Sequence, residues 1–400
     1  MISISLAPRF LIAARALRMM NFILPIMFLF YQDKGLSIGD VFLIQGLWAV
    51  SVFFLEVPSG YIGDICSRKT VIGISFLISV IANLLFGFGY GFWAILSGEL
   101  LLGFSSALYS GTAEAYYHDL LRKKSKENKL HKKLAKLESF SMGALAVSTV
   151  SAGFLYARFG GDFCAYLTAT MSFMAFVIVC FLPNITDSRR IVAEGVSKIK
   201  DLLMISKSTM KHPEIKWLIL FPAIYGALTF VLMWGLQPVM IDKNVPTYLF
   251  GIMVGFNMFC RTGWAYASGV LLDTIKLKKT VIVLCGVLCV GTLAASIITN
   301  FDTMIVVYVL LGIMAVANSS QMAVEIITST FVHHRIKSDE RSTILSVKSM
   351  VSMMSSGMLL ILMKPLIDGV GLQSAFWICS ALLLPIFVAM YHLLKLKIKE

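Results

Sequence analysis

Apolar residues run along this chain in blocks of about twenty, separated by short polar gaps, almost from end to end. A membrane-crossing helix needs about 20 mostly apolar residues. Twelve stretches meet that length: 11–31, 38–62, 70–90, 92–118, 138–158, 162–183, 215–240, 247–272, 280–299, 303–331, 342–364 and 372–394. Backbone groups in lipid must bond within their own segment, so the runs predict helices. The pattern predicts an all-α membrane protein of two six-helix bundles, 1–184 and 215–400. A polar segment, 185–214, joins them. There Val192, Val196, Ile199 and Leu203 share one helical face, with Lys198 and Lys200 off it. That spacing fits an amphipathic helix on the membrane surface or, equally, a solvated tether.

Composition agrees with the runs. The chain is 58% hydrophobic and 14% charged, against roughly 45–50% and about 25% in soluble domains. A net charge of +13 would suggest nucleic acid if the basic residues formed a patch. Instead they fill the gaps between runs. Assigned by side, 30 of the 35 Lys and Arg fall on one face of the membrane and four on the other, with Arg261 inside a span. By the positive-inside rule both termini are expected in the cytoplasm, as in a multi-pass protein of the cytoplasmic (inner) membrane. Arg9 before the first run, and Arg15 and Arg18 at its start, count toward the cytoplasmic side. No small-residue cleavage site follows, so this run reads as a first span. None of the seven cysteines forms a CxxC pair. They read as small buried residues, and neither a metal nor a cofactor is implied.

The two halves echo each other. "SGYIGDICSRKTVI" begins at Ser59 and "SGVLLDTIKLKKTVI" at Ser268. Gly103 and Gly312 lie 209 residues apart, Glu114 and Glu325 lie 211 apart. Two halves inserted in the same direction are one of the repeat patterns of secondary transporters. With twelve spans, a long central segment and Gly-x-x-x-Asp-x-x-x-Arg-Lys after the second span, the chain resembles the major facilitator superfamily over its whole length. "LEVPSGYIGD" and "SGTAEAYYHDLL" resemble one bacterial branch, whose members are mostly presumed exporters or transporters of small molecules.

The resemblance gives roles to the loop charges. Gly60 would let two helices approach closely. Asp64 would face the N-terminal end of the eleventh helix, near Arg341, where a carboxylate is favourable by roughly 0.3–1 kcal/mol. Arg68, beside Lys69, would pair with an acid at the end of the fourth helix, Asp119 being nearest. Asp273 is the weaker counterpart in the second half. Such a motif would act as a gating latch; the plainer alternative is ordinary topogenic charge. Glu56 would pair with Arg15 or Arg18, or reach toward the interface.

Ionisable residues inside spans are costly and functional by default. Four stand out: Glu99, Glu114, Arg261 and Glu325. Burial moves a carboxyl toward the range where it can exchange a proton, which makes Glu114 and Glu325 the first coupling candidates. The alternative is a static ion pair with Arg261 or Lys348. Arg261 could instead hold an anionic group of a solute. Asn21, Pro25, Gln45, Tyr109, Tyr225, Trp234, Asn257 and Gln321 are candidate lining residues. Two features depart from the family pattern. Glu99 stands four residues before Gly103, where members often carry Arg. The fifth span, "SMGALAVSTVSAGFLYA", lacks the Gly-Pro of many drug–proton antiporters. The expected function is proton-coupled efflux of a small organic solute by a lipid-embedded monomer. The alternatives are proton-coupled uptake of a small, anionic metabolite and a non-transporting sensor on the same fold. No HExxH, GxSxG, zinc spacing or phosphate loop occurs, so no enzyme and no ATP-driven pump is expected.

Overall fold

The computed structural model describes residues 2–122, 130–185, 213–274, 277–335 and 338–397. The expected amphipathic helix of the central segment lies outside them. The described residues form helices throughout: α1 (Ala7–Met19), α2 (Met27–Asp33), α3 (Ile38–Ile65), α4 (Arg68–Phe88), α5 (Gly91–Arg122), α6 (Leu130–Phe159) and α7 (Gly161–Phe181). There follow α8 (Pro213–Asp242), α9 (Tyr248–Thr274), α10 (Leu277–Ile297), α11 (Met304–Ser319), α12 (Gln321–Arg335) and α13 (Ser338–Lys397). Large apolar side chains point outward, among them Phe88, Trp93, Phe259 and Ile305, each at least 75% exposed. A soluble surface would not carry them, whereas lipid accommodates them.

Among the described residues, ten stretches are long and apolar enough to cross a membrane. Two of the twelve expected spans are not separate among these. Tyr248–Thr274, which carries Asn257, Arg261 and Ser268, is not one of the ten. The expected eleventh and twelfth spans fall together on α13, two helices that meet at Gly371. The first span runs Ala7–Asp33, interrupted by a 3-10 turn at Leu24–Ile26. It therefore includes Arg15 and Arg18, which the charge count had placed in the cytoplasm. The second span continues through Pro58 to Ile65 as α3. Pro58 removes one backbone donor, which spanning helices tolerate where hydroxyls and neighbouring helices compensate. Here the Ser59 hydroxyl donates to the Glu56 carbonyl at 2.9 Å.

The chain groups into two compact units. Unit 1 comprises 1–37, 51–195 and 246–252, and unit 2 comprises 38–50, 196–245 and 253–400. The expected boundaries are thus crossed by two short segments. Within unit 2, a Cβ on Gly46 would lie 2.7 Å from the Gly357 carbonyl oxygen, so 38–50 approaches α13 backbone to backbone. Within unit 1, Tyr248 stacks on Phe154 with ring centroids 5.7 Å apart.

The repeat is visible in the backbone. In the turn after α2, Leu36 N–H donates to the Tyr31 carbonyl at 3.0 Å, and Gly35 N–H to Gln32 at 2.9 Å. In the turn after α8, Val245 N–H donates to Met240 at 2.9 Å and Asn244 N–H to Ile241 at 3.0 Å. Every partner is shifted by 209 residues. Both turns are Schellman motifs, which need a left-handed residue at their corner. Gly35 and Asn244 supply it with φ of 86° and 51°. The lysine before each corner is matched as well. Lys34 Nζ donates to the Gly87 carbonyl at 2.9 Å and pairs with Asp162 at 2.6 Å. Lys243 Nζ donates to the Thr299 carbonyl at 2.8 Å and meets Asp302 at 3.3 Å. Each ammonium thus caps carbonyls at the end of a neighbouring helical segment, where a cation is favourable.

Candidate functional site

Unit 2 gathers a polar cluster inside its helices. Gln321, Glu325 and Ser329 recur every four residues on α12, so they line one face. Facing them is Lys348 of α13, whose side chain is only 4% exposed. Lys348 Nζ lies 2.8 Å from Glu325 Oε2, 2.9 Å from Ser329 Oγ and 3.3 Å from the Glu325 carbonyl oxygen. Gln321 Nε2 donates to Glu325 Oε1 at 3.0 Å, while Gln321 Oε1 is enclosed without a donor. Arg261 of α9 is near enough for the charge of Glu325 to act on it. Two cations and one carboxylate share this cluster. An unpaired cation there would carry a desolvation cost, and Glu325 offsets it for Lys348.

The break between α11 and α12 positions this face. Ser320 sits between the two helices and its hydroxyl lies 2.5 Å from the Tyr225 hydroxyl, which also donates to the Leu284 carbonyl at 2.9 Å. Tyr225 is fully buried and committed to that role, so it does not line a cavity. Asn257 is similarly committed. Its Nδ2 donates to the Ala315 carbonyl at 3.1 Å, and its backbone carbonyl accepts from the Ser319 hydroxyl at 3.0 Å. Gln45 and Trp234 are buried within unit 2.

In unit 1 the expected residues scatter. Glu99, 2% exposed, accepts from the Tyr31 hydroxyl at 2.5 Å. Asn21 caps the 3-10 turn of the first span. Its Oδ1 accepts from the Ile23 and Leu24 N–H groups at 2.9 and 3.0 Å, which spends its acceptor on backbone. Pro25 is buried in the same turn, where its fixed φ suits the first positions of a helical segment. Tyr109 is 7% exposed and lies beneath Arg18, which no reading of the spans had placed there. The surroundings of Gly60 and the side chains of Asp64 and Glu114 lie outside the described part of the structure. Arg68 forms an ion pair with Asp119 and donates to the Ala115 carbonyl at 3.2 Å. Lys69 Nζ donates to the Cys180 carbonyl at 2.7 Å, and Asp273 is exposed at the end of α9. Glu56 pairs with neither arginine. Arg15 takes Glu138 of α6, and Arg18 takes Ser105.

Sequence comparison bears on what this architecture is. The family model described as Major Facilitator Superfamily matches residues 10–361. The chain belongs to the major facilitator superfamily. It is a multi-pass membrane transporter of that type, and the internal repeat of turns and lysines is the repeat of that fold. An uncharacterized transporter of Buchnera aphidicola subsp. Acyrthosiphon pisum (strain APS) is 27% identical over 168 residues, 41% of this chain and 42% of that protein. The match therefore spans less than half the length of this relative. Among solved structures, the nucleoside transporter NupG aligns with a TM-score of 0.79 at 12% identity, over 98% of this chain and 100% of that one. A bacterial homologue of the human lysosomal transporter Spinster aligns at 0.70 and 12% identity, over 98% and 97%. At these identities the likeness concerns the fold alone.

Proposed function

We propose that this protein exports a small organic solute across the cytoplasmic membrane by alternating access, drawing on the proton gradient, with both termini in the cytoplasm and one chain sufficient for the cycle. The observation that carries the reading is the Lys348–Glu325 pair. It lies within α12 and α13, where charge is costly unless used. Glu325 is the carboxylate that Gln321 and Lys348 share; a donor group of the solute would use it only in its ionised form, and a proton bound there would remove that acceptor. Proton and solute would then compete for one set of groups, which is the requirement for antiport. Gly60, Asp64, Arg68, Lys69 and Asp119 form the gating latch in this reading, with Asp273 as its weaker counterpart. The Arg68–Asp119 pair supports it, being an interaction that can be made and broken.

The test uses proteoliposomes holding the purified protein and loaded with a small-molecule extract of the source cells. A pH gradient is imposed in either direction and the released solutes are read by mass spectrometry. At least one solute should leave faster with the external side acidic, and Glu325→Gln should flatten that dependence. Release that ignores the gradient in the intact protein would remove proton coupling from the account.

A further inference from the structure

Unit 1 holds a second charged cluster that the transport reading leaves unused. Arg15 and Arg18 lie three residues apart near the end of α1, on one helical face and within the first span. Arg15 has Glu138 as its carboxylate. Arg18 has none among the described residues. One of its terminal nitrogens donates to Ser105 Oγ at 2.9 Å. Its guanidinium carbon lies 4.5 Å from the centroid of the Tyr109 ring and 5.6 Å from that of Phe76. Those rings attract a cation but supply no acceptor atoms. The Nε atoms of both arginines and the Tyr109 hydroxyl are enclosed with no hydrogen-bond partner among the described residues. Ser105 is itself anchored, donating to the Ser75 carbonyl at 2.7 Å.

Among the described side chains, two guanidiniums therefore face one carboxylate, a net positive charge in a spanning segment. Several donors there await an acceptor. Charged groups in a membrane interior are paired or mark a solute pathway. A guanidinium is a planar fork matched to a group with two anionic oxygens. We infer that Arg18, together with Arg15, Ser105 and Tyr109, is the subsite that holds the carboxylate or phosphate group of the transported solute. The inference rests on the transport reading and adds the chemical class of the substrate to it. Ser105 and the faces of Tyr109 and Phe76 fix the plane of the guanidinium, so that its remaining edge is presented in one orientation.

The test is equilibrium binding, which does not require flux. Purified full-length protein in phosphatidylcholine nanodiscs is melted in the presence of benzoate, phenyl phosphate, inorganic phosphate or uncharged benzyl alcohol, at constant ionic strength. At least one anionic probe should raise the melting temperature in a saturable way, and benzyl alcohol should not. Arg18→Gln should abolish the shift, and Arg18→Lys should weaken the apparent affinity at least tenfold, because the fork is lost. Should Arg18→Gln fail to yield monodisperse protein, Arg18→Lys and Tyr109→Phe carry the comparison, each with weakened binding expected. An equal shift in wild type and variants, or no shift with any anion, overturns the inference. Nanodiscs of phosphatidylglycerol separate solute from lipid. A probe shift that survives there assigns the site to a solute, whereas its loss there assigns the site to a headgroup and overturns the proposal. Absent anion binding beside intact solute flux would remove the subsite and leave transport standing. Anion binding beside absent flux would do the reverse.

Discussion

Replacing Glu325 by glutamine would leave Lys348 charged and enclosed, with Ser329 Oγ and the Glu325 backbone carbonyl as its remaining acceptors beside a neutral amide. Breaking a fully buried ion pair costs about 3–5 kcal/mol. Here the Glu325 side chain is 38% exposed while that of Lys348 is 4% exposed. Solvent reaches one partner only, and two neutral acceptors survive, so the loss should be roughly 1–3 kcal/mol. Lys348→Met removes the buried cation and leaves a carboxylate that water can reach, a smaller loss. The double variant Glu325→Gln/Lys348→Met has no stranded charge and should be more stable than Glu325→Gln alone. Thermal unfolding of the purified protein, followed by tryptophan fluorescence, gives the three differences. A coupling of about 0.5–3 kcal/mol between the two positions is expected. Losses that simply add would show that the pair is not the unit described here, and the competition between proton and solute would lose its basis.

Asp64→Asn should leave insertion and the melting profile near wild type but slow solute flux in proteoliposomes; normal turnover would sink the latch. Lys34→Met removes a charged donor from the Gly87 carbonyl and from Asp162, at a residue only 6% exposed. A hydrogen bond to a charged group contributes about 1.5–3 kcal/mol, so a clear fall in melting temperature is expected, and none would deny the capping role. Gly46→Ala would press a methyl against the Gly357 carbonyl oxygen, 2.7 Å from the ideal Cβ. Overpacking of this kind costs about 1–3 kcal/mol. A variant as stable as wild type would show that the two backbones can part freely.

Hydrophobic block length was enough to foresee an all-helical membrane protein, because lipid leaves a long apolar run no other way to satisfy its backbone. The half-repeat was also legible, since Ser59 and Ser268 keep their spacing. The Arg68–Asp119 pair was legible only through the family resemblance, which puts an acid at the end of the fourth helix opposite that arginine. What the linear pattern hid is depth. Arg18 and Lys348 fall within the expected spans 11–31 and 342–364 but near their ends, where they count as cytoplasmic charge. Each lies inside its helix, Arg18 under Tyr109 and Lys348 beneath Glu325, and only the packed neighbours reveal this. Asn21, Tyr225 and Asn257 looked like cavity linings, but the Asn21 Oδ1, the Tyr225 hydroxyl and the Asn257 Nδ2 are each engaged by backbone or a nearby hydroxyl. Sequence states that a polar atom exists in a span, not which carbonyl lies opposite. Gly371 parts two helices at the gap between the expected spans 342–364 and 372–394, and Pro58 lies within a continuous helix, as the span 38–62 requires.

The most direct measurement is an untargeted mass-spectrometric comparison of cell contents and medium for cells with the intact protein, without it, and with Asp64→Asn. Export predicts a solute that accumulates inside cells lacking the protein and thins in their medium, with the Asp64→Asn cells in between. A solute left behind in the medium instead would contradict the direction proposed here and establish uptake.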